Sequence, residues 1–144
     1  MSSSFRFLED IALADIAFDA EGDSIEELFR AATDALLEIM ADPHTVAASW
    51  QRRILKSEAA LDDLLVEWLS AIVYWKDAAG VVFREAPLTL TYEQEHWTVE
   101  AELIGAAIDP VVQTLRNDVK GITRHLYRLG QEGPVWTARV VVDV

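Results

Sequence analysis

Apolar positions change their spacing several times along the chain. Residues 14–20 (Ala-Asp-Ile-Ala-Phe-Asp-Ala) alternate loosely with period two and run into Glu21-Gly22-Asp23, which predicts a strand followed by a turn. A helix begins there. Ser24-Ile25-Glu26-Glu27 is a capping box, in which the serine hydroxyl accepts from the Glu27 amide and the Glu27 side chain returns to the serine amide. Behind it Ile25, Leu28, Phe29, Ala32, Leu36, Ile39 and Met40 recur at helical spacing until Asp42-Pro43 stops the pattern. A short strand is predicted around residues 52–56. A second helix follows on Leu61, Leu64, Leu65, Trp68, Leu69, Ile72 and Val73, with Asp62, Asp63 and Glu67 on its polar face. It fades near Trp75-Lys76-Asp77 and ends at Ala79-Gly80, where glycine takes the left-handed cap conformation.

Strands resume beyond Gly80. Residues 88–92 and 97–103 flank the polar Glu93-Gln94-Glu95-His96, a hairpin signal. Residues 119–127 and 135–142 flank Gly130-Gln131-Glu132-Gly133-Pro134 in the same way. The loop between the hairpins, residues 105–117, contains Asp109-Pro110 and is long enough for a surface role. Two hairpins and two helices predict a single α+β domain spanning residues 1–144, with a mainly antiparallel or mixed β-sheet on which two main helices pack. No repeat, low-complexity tract or linker interrupts it.

Composition narrows the chemistry. At 144 residues and 51% apolar content the chain is built for one core rather than for disorder. There are no cysteines, which excludes disulfides, thiolate zinc sites and a cysteine nucleophile. Met1-Ser2-Ser3-Ser4-Phe5-Arg6 lacks a long apolar stretch, so neither a signal peptide nor a membrane span is expected and a cytoplasmic location is the simplest reading. Twenty-five acidic against 12 basic residues give a formal charge of −13, which serves solubility and opposes binding to nucleic-acid phosphates. Any role in RNA biology is therefore indirect. Glycine-rich phosphate loops, His-Glu-x-x-His and Gly-x-Ser-x-Gly are all absent. His44 and His96 read as solvated residues, whereas His125 shares a predicted strand with Lys120 and is the histidine less easily set aside. Trp68, Trp75, Trp97 and Trp136 read as core residues, and Trp50 fits either packing or a partner contact.

The chain end carries the most specific chemistry. Asp143 and the free carboxylate of Val144 sit side by side on a β-branched run that a sheet should hold. Hard oxygen donors on a rigid element suggest a cation site, and a third carboxylate must come from elsewhere.

A family resemblance supplies it. The order of Asp10-Ile11-Ala12-Leu13-Ala14-Asp15-Ile16-Ala17-Phe18, Ser24-Ile25-Glu26-Glu27-Leu28-Phe29 and Asp63-Leu64-Leu65-Val66-Glu67-Trp68-Leu69 resembles the archease family. Val119-Lys120-Gly121-Ile122-Thr123-Arg124-His125 and the closing Val141-Val142-Asp143-Val144 extend that resemblance over nearly the whole chain. It implies a small non-catalytic accessory protein of the RtcB-type RNA-splicing ligase, promoting GTP- and metal-dependent guanylylation and multiple turnover in tRNA splicing or RNA repair. The acidic surface suits docking on a basic RNA-handling enzyme. By the same resemblance the metal ligands fall on Asp15, Asp143 and the terminal carboxylate of Val144. Three oxygen donors suit Ca²⁺, Mg²⁺ or Mn²⁺ and leave coordination positions open.

The chain also departs from the family pattern. A common family histidine falls on Ala12, and Arg124 replaces a frequent aromatic residue; Asp10 is a candidate to compensate for the missing imidazole. Lys120 matches a position implied to contact the ligase or a nucleotide phosphate, and Lys120, His125 and the terminal carboxylates are expected on one sheet face. Two other classes remain open: a metal-dependent hydrolase using the Asp15 and Asp143 carboxylates with His125 as general base, and a metal-free acidic interaction module.

Overall fold

The first helix starts as its capping box requires, though only half of the box forms. In the computed structural model, which describes residues 2–8 and 15–144, the Glu27 amide donates to Ser24 Oγ at 3.1 Å. The Glu27 carboxylate, instead of returning to Ser24, accepts from Arg30 Nη1 at 3.0 Å. This helix, α1, spans Ile25–Met40. Before it come β1 (Ser3–Leu8) and β2 (Asp15–Gly22); after it come a single 3-10 turn (Pro43–Thr45) and β3 (Trp50–Glu58). The second helix, α2 (Leu61–Ala79), ends on Gly80 at φ 64°, the left-handed cap its sequence predicts. Then β4 (Val81–Glu85), β5 (Leu88–Glu93), β6 (His96–Ala107), β7 (Gly121–Glu132) and β8 (Val135–Asp143) complete the chain.

All strand pairings are antiparallel, and they form two sheets. One has the order β1-β2-β8-β7; the other runs β3-β6-β4, with β5 also paired to β6. Both helices touch both sheets, so the core lies between the sheets with the helices inside it. That explains why α1 buries Ala31, Thr33 and Leu37 as well as its predicted stripe. Trp68 is fully buried and donates from Nε1 to Thr33 Oγ1 at 2.9 Å, while Thr33 donates to the Phe29 carbonyl at 2.7 Å. Trp50, Trp75, Trp97 and Trp136 are partly buried against the same core. Trp50 lies 6.5 Å from Trp75 and 6.2 Å from Phe83, ring centre to ring centre, which resolves it as a packing residue.

Two strands lie outside the sequence expectation. The edge strand β1 alternates only weakly and is held by its register on β2, from Ser3 opposite Gly22 to Leu8 opposite Ala17. The five-residue β4 is too short for periodicity to mark it. It crosses β6 so closely at Gly105 that a Cβ there would stand 2.0 Å from the Val82 carbonyl oxygen. β6 runs on to Ala107, so the loop predicted from residue 105 begins three residues later. Asp10 and Ala12 lie outside the described residues. Among the described residues no helix is long and apolar enough to cross a membrane.

Candidate functional site

β2 and β8 are the two central strands of their sheet, and their register sets Asp15 directly across from Asp143. Directly opposed residues of an antiparallel pair share a face, with Cβ atoms about 4.5–5.5 Å apart. The alternation sends Phe18, Val140 and Val142 inward, where all three are fully buried, and leaves the two aspartates on the other face. Ala17 and Val141, the next pair along that face, are also fully buried. The carboxylates therefore border an apolar floor, both half-buried, and Val144 beyond them packs partly against the core. Two like charges facing each other across strands are destabilising unless something compensates them. Among the described residues no group of three His, Cys, Asp or Glu side chains clusters tightly enough to hold a metal. A third protein ligand at this pair would be the main-chain carboxylate of Val144.

The segment before β7 closes one side of the pair. Gly121 sits across from Asp143, and the Lys120 amide donates to the Asp143 carbonyl at 2.8 Å. Lys120 thus meets Asp143 through its main chain, while its side chain is exposed. A buried lysine that sequence reasoning missed anchors this segment. Lys76 is only 5% exposed, yet its Nζ donates to the Val119 carbonyl and to Asp118 Oδ1, both at 2.6 Å, and pairs with Asp77 at 2.8 Å. Burial disfavours the ammonium, but hydrogen bonds to Asp118 and Asp77 outweigh it, and the Lys76 pKa is raised. The pattern around residue 76 reads as a fading helix end, so the only signal was a basic residue in the last turn, where the helix dipole favours one.

His125 is kept apart from this constellation. The β7–β8 register passes from Thr123 opposite Val141 to Arg128 opposite Arg139, so residues 124–127 bulge out against Val140 alone. His125 is exposed within that bulge, at the level of Val140 rather than Asp143. Leu126 takes φ 56°, an uncommon value for a branched side chain. The bulge is tied to the first turn of α2. Arg124 pairs with Asp63 at 3.0 Å and Tyr127 donates to the Asp62 carbonyl at 2.7 Å. Burial foremost, then the nearby Asp62 carboxylate, pushes the Tyr127 phenol upward. This register sets His125 away from the level of the aspartate pair, which weakens the hydrolase alternative.

Nearer the other end of β2 the same face is differently arranged. Asp19 is held by Arg139 in a two-pronged contact at 2.7 and 2.9 Å and by Arg6 at 3.1 Å. The hydrogen bonds from Arg139, more than those from Arg6, hold its pKa below the ordinary carboxylate value despite partial burial. Asp19 and Arg6 border a cavity of about 290 Å³ that Arg128 and Glu132 also line. It is separate from the Asp15–Asp143 pair.

Residues 5–144 match the family model of the Archease protein family (MTH1598/TM1083). The chain belongs to this family. Among relatives, the protein archease of Methanosarcina mazei is 30% identical over 141 residues, which cover 97% of this chain and 95% of that one. The protein archease of Pyrococcus abyssi is 28% identical over 91% of this chain and 93% of its own length. The solution structure of protein 1598 from Methanobacterium thermoautotrophicum superposes with a TM-score of 0.82 at 25% identity, covering 97% of this chain and 98% of that one. The crystal structure of an archease, possible chaperone, from Thermotoga maritima has the same fold, with a TM-score of 0.62 at 21% identity over 96% of this chain and 98% of that one. The two-sheet architecture is thus the archease fold.

Proposed function

We propose that this archease-family chain is a non-catalytic accessory protein of an RtcB-type RNA-splicing ligase, promoting its guanylylation and turnover in tRNA splicing or RNA repair. It does so with a divalent cation, Ca²⁺, Mg²⁺ or Mn²⁺, held by Asp15, Asp143 and the terminal carboxylate of Val144. The observation that carries this reading is the register that opposes Asp15 to Asp143 on the two central strands. Such a pair repels itself when empty and accepts a hard cation when loaded. Carboxylates on paired strands are fixed by the sheet, and a ligand set of three leaves positions open to water or a partner's groups.

The rest of the chain's role is positioning. The Lys76 anchor and the Lys120 amide hold the strand end that carries Asp143. The exposed Lys120 ammonium is available to the ligase or to a nucleotide phosphate. A net charge of −13 steers the chain toward a basic enzyme and away from RNA, so contact with RNA is indirect. Such a helper acts on a protein client, in keeping with the "possible chaperone" wording used of the Thermotoga maritima archease. The test mixes the chain with the cognate ligase, GTP and metal, and follows formation of the guanylylated ligase. Wild type should raise that yield, Asp15→Ala and Asp143→Ala should not, and the chain alone should turn over no phosphoester. Stimulation that survives both substitutions would overturn the metal-helper reading.

A further inference from the structure

Among the described residues, the most exposed apolar surface belongs to the loop between β6 and β7. Val111 is 91% exposed and Val112 66%, with Ile108 at 44% and Leu115 at 38% beside them. A single exposed valine carries no message, but two valines with an isoleucine and a leucine in one short loop form a patch.

This loop is held open by its own hydrogen bonds. The Gln113 amide donates to the Asp109 carbonyl at 3.0 Å, Gln113 Oε1 accepts from the Asp109 amide at 2.8 Å, and Gln113 Nε2 donates to the Ala107 carbonyl at 3.0 Å. Asp109 Oδ1 accepts from the Val111 amide at 3.0 Å. The far limb is pinned by the Asp42 amide on the Thr114 carbonyl at 2.8 Å and by a bridge between Leu115 and Ala41. A loop fixed in this way presents its valines without an ordering cost at the moment of contact.

Chain direction fixes where the loop sits. β2 runs from Asp15 to Gly22 and α1 turns back from Ile25 to Met40, packed on it, so Ala41 returns to the Asp15 end of the molecule. Leu115 is bridged to that Ala41, and Lys120, five residues on, is bonded to Asp143. The apolar loop and the carboxylate pair therefore crown the same end of the fold. Exposed Asp109 and the carboxylate pair carry negative charge here, and Asp77 and Asp118 around the single Lys76 ammonium leave one charge in excess, against the one exposed ammonium of Lys120.

We infer that residues 108–115 are the docking element of this end, seating Val111 and Val112 in an apolar pocket rimmed by basic groups on the enzyme the chain serves. The inference rests on the proposed ligase-helper reading and deepens it. The acidic border selects a basic rim, the apolar tip selects a pocket, and the shared end means one partner meets both the loop and the cation.

The test measures affinity for the cognate ligase by surface plasmon resonance, using wild type, Val111→Asp and Val111→Asp/Val112→Asp, with Val111→Ser as the mildest change. Each variant is also titrated with Mn²⁺. Expected is ligase binding weakened roughly tenfold or more in the aspartate variants, with Mn²⁺ affinity and thermal midpoint unchanged. Unchanged ligase affinity in the double variant would overturn the docking assignment and leave the helper reading intact. Wild type that binds no ligase would sink the helper reading, and this inference with it. Wild type that self-associates through these valines, as followed by sedimentation, would assign the surface to a second copy of the chain and overturn the inference.

Discussion

Replacing Lys76 by methionine removes one ammonium and keeps most of the stem's volume, so no large cavity is created. Two of the three acceptors it leaves are well hydrated: the Asp118 and Asp77 side chains are 82% and 64% exposed, and water replaces the ammonium at both. Their pairing with Lys76 is worth about 0–1 kcal/mol on the scale of exposed ion pairs. The Val119 carbonyl is different, because Val119 is fully buried and loses a charge-assisted hydrogen bond worth about 1.5–3 kcal/mol. A net loss of about 2–3 kcal/mol follows, or roughly 5–10 °C in the midpoint of a domain this size. The raised pKa adds a signature. Stability from this ammonium is fully present below the unfolded value of 10.5 and is lost as pH rises through the higher folded value. The gap between wild type and Lys76→Met should hold across neutral pH and narrow only in strong alkali. Because Lys76 anchors the segment that bonds Asp143, Mn²⁺ affinity should fall with it. Thermal unfolding followed by circular dichroism gives the first result and calorimetry the second. A methionine variant as stable as wild type would show that the anchor contributes nothing.

Two further outcomes are expected. Gly105→Ala forces a Cβ against the Val82 carbonyl oxygen near the C-terminal end of β6 and should cost about 3 kcal/mol or more, read as a lowered urea midpoint or loss of soluble protein. Asp19, with its pKa held down mainly by Arg139, contributes stability above its unfolded value of 3.8 that is lost as pH falls through the lower folded value. Denaturation midpoints of wild type should therefore drop on acidification more than those of Asp19→Asn; equal acid sensitivity would show the Arg139 contact to be inert.

Where local chemistry decided the structure, the sequence was readable. Ser24 caps α1 and Gly80 caps α2, because serine at an N-cap and glycine at positive φ satisfy helix ends whatever surrounds them. The tight turn at Gln94-Glu95, both at positive φ, lies within the expected hairpin. What escaped depends on partners distant in sequence. β1 exists through its pairing with β2, and nothing in Ser3–Leu8 alone distinguishes it from a loop. The division of strands between two sheets follows from where β6 and β8 find neighbours, a long-range choice that no single segment encodes. At the site, the adjacency of Asp143 and Val144 is covalent and so visible. The placement of Asp143 across from Asp15 is a matter of register, which the family resemblance implied and periodicity could not supply. The bulge that carries His125 away has no marker in Arg124-His125-Leu126-Tyr127, since it is held by α2 through Asp62 and Asp63. Lys76 escaped because a lysine at a helix end is ordinarily solvated, and only the fold buries this one.

The proposed helper function requires the Asp15–Asp143 end to bind a divalent cation. Calorimetric titration with Mn²⁺ and with Ca²⁺ tests it on wild type, on Asp15→Asn and Asp143→Asn, and on a chain extended beyond Val144. Asparagine keeps the shape of each side chain and removes its charge, while extension removes the free carboxylate and leaves every side chain in place. One site is expected in wild type, weakened roughly tenfold or more by each change. A wild type that binds neither cation, or variants that bind as wild type does, would contradict it.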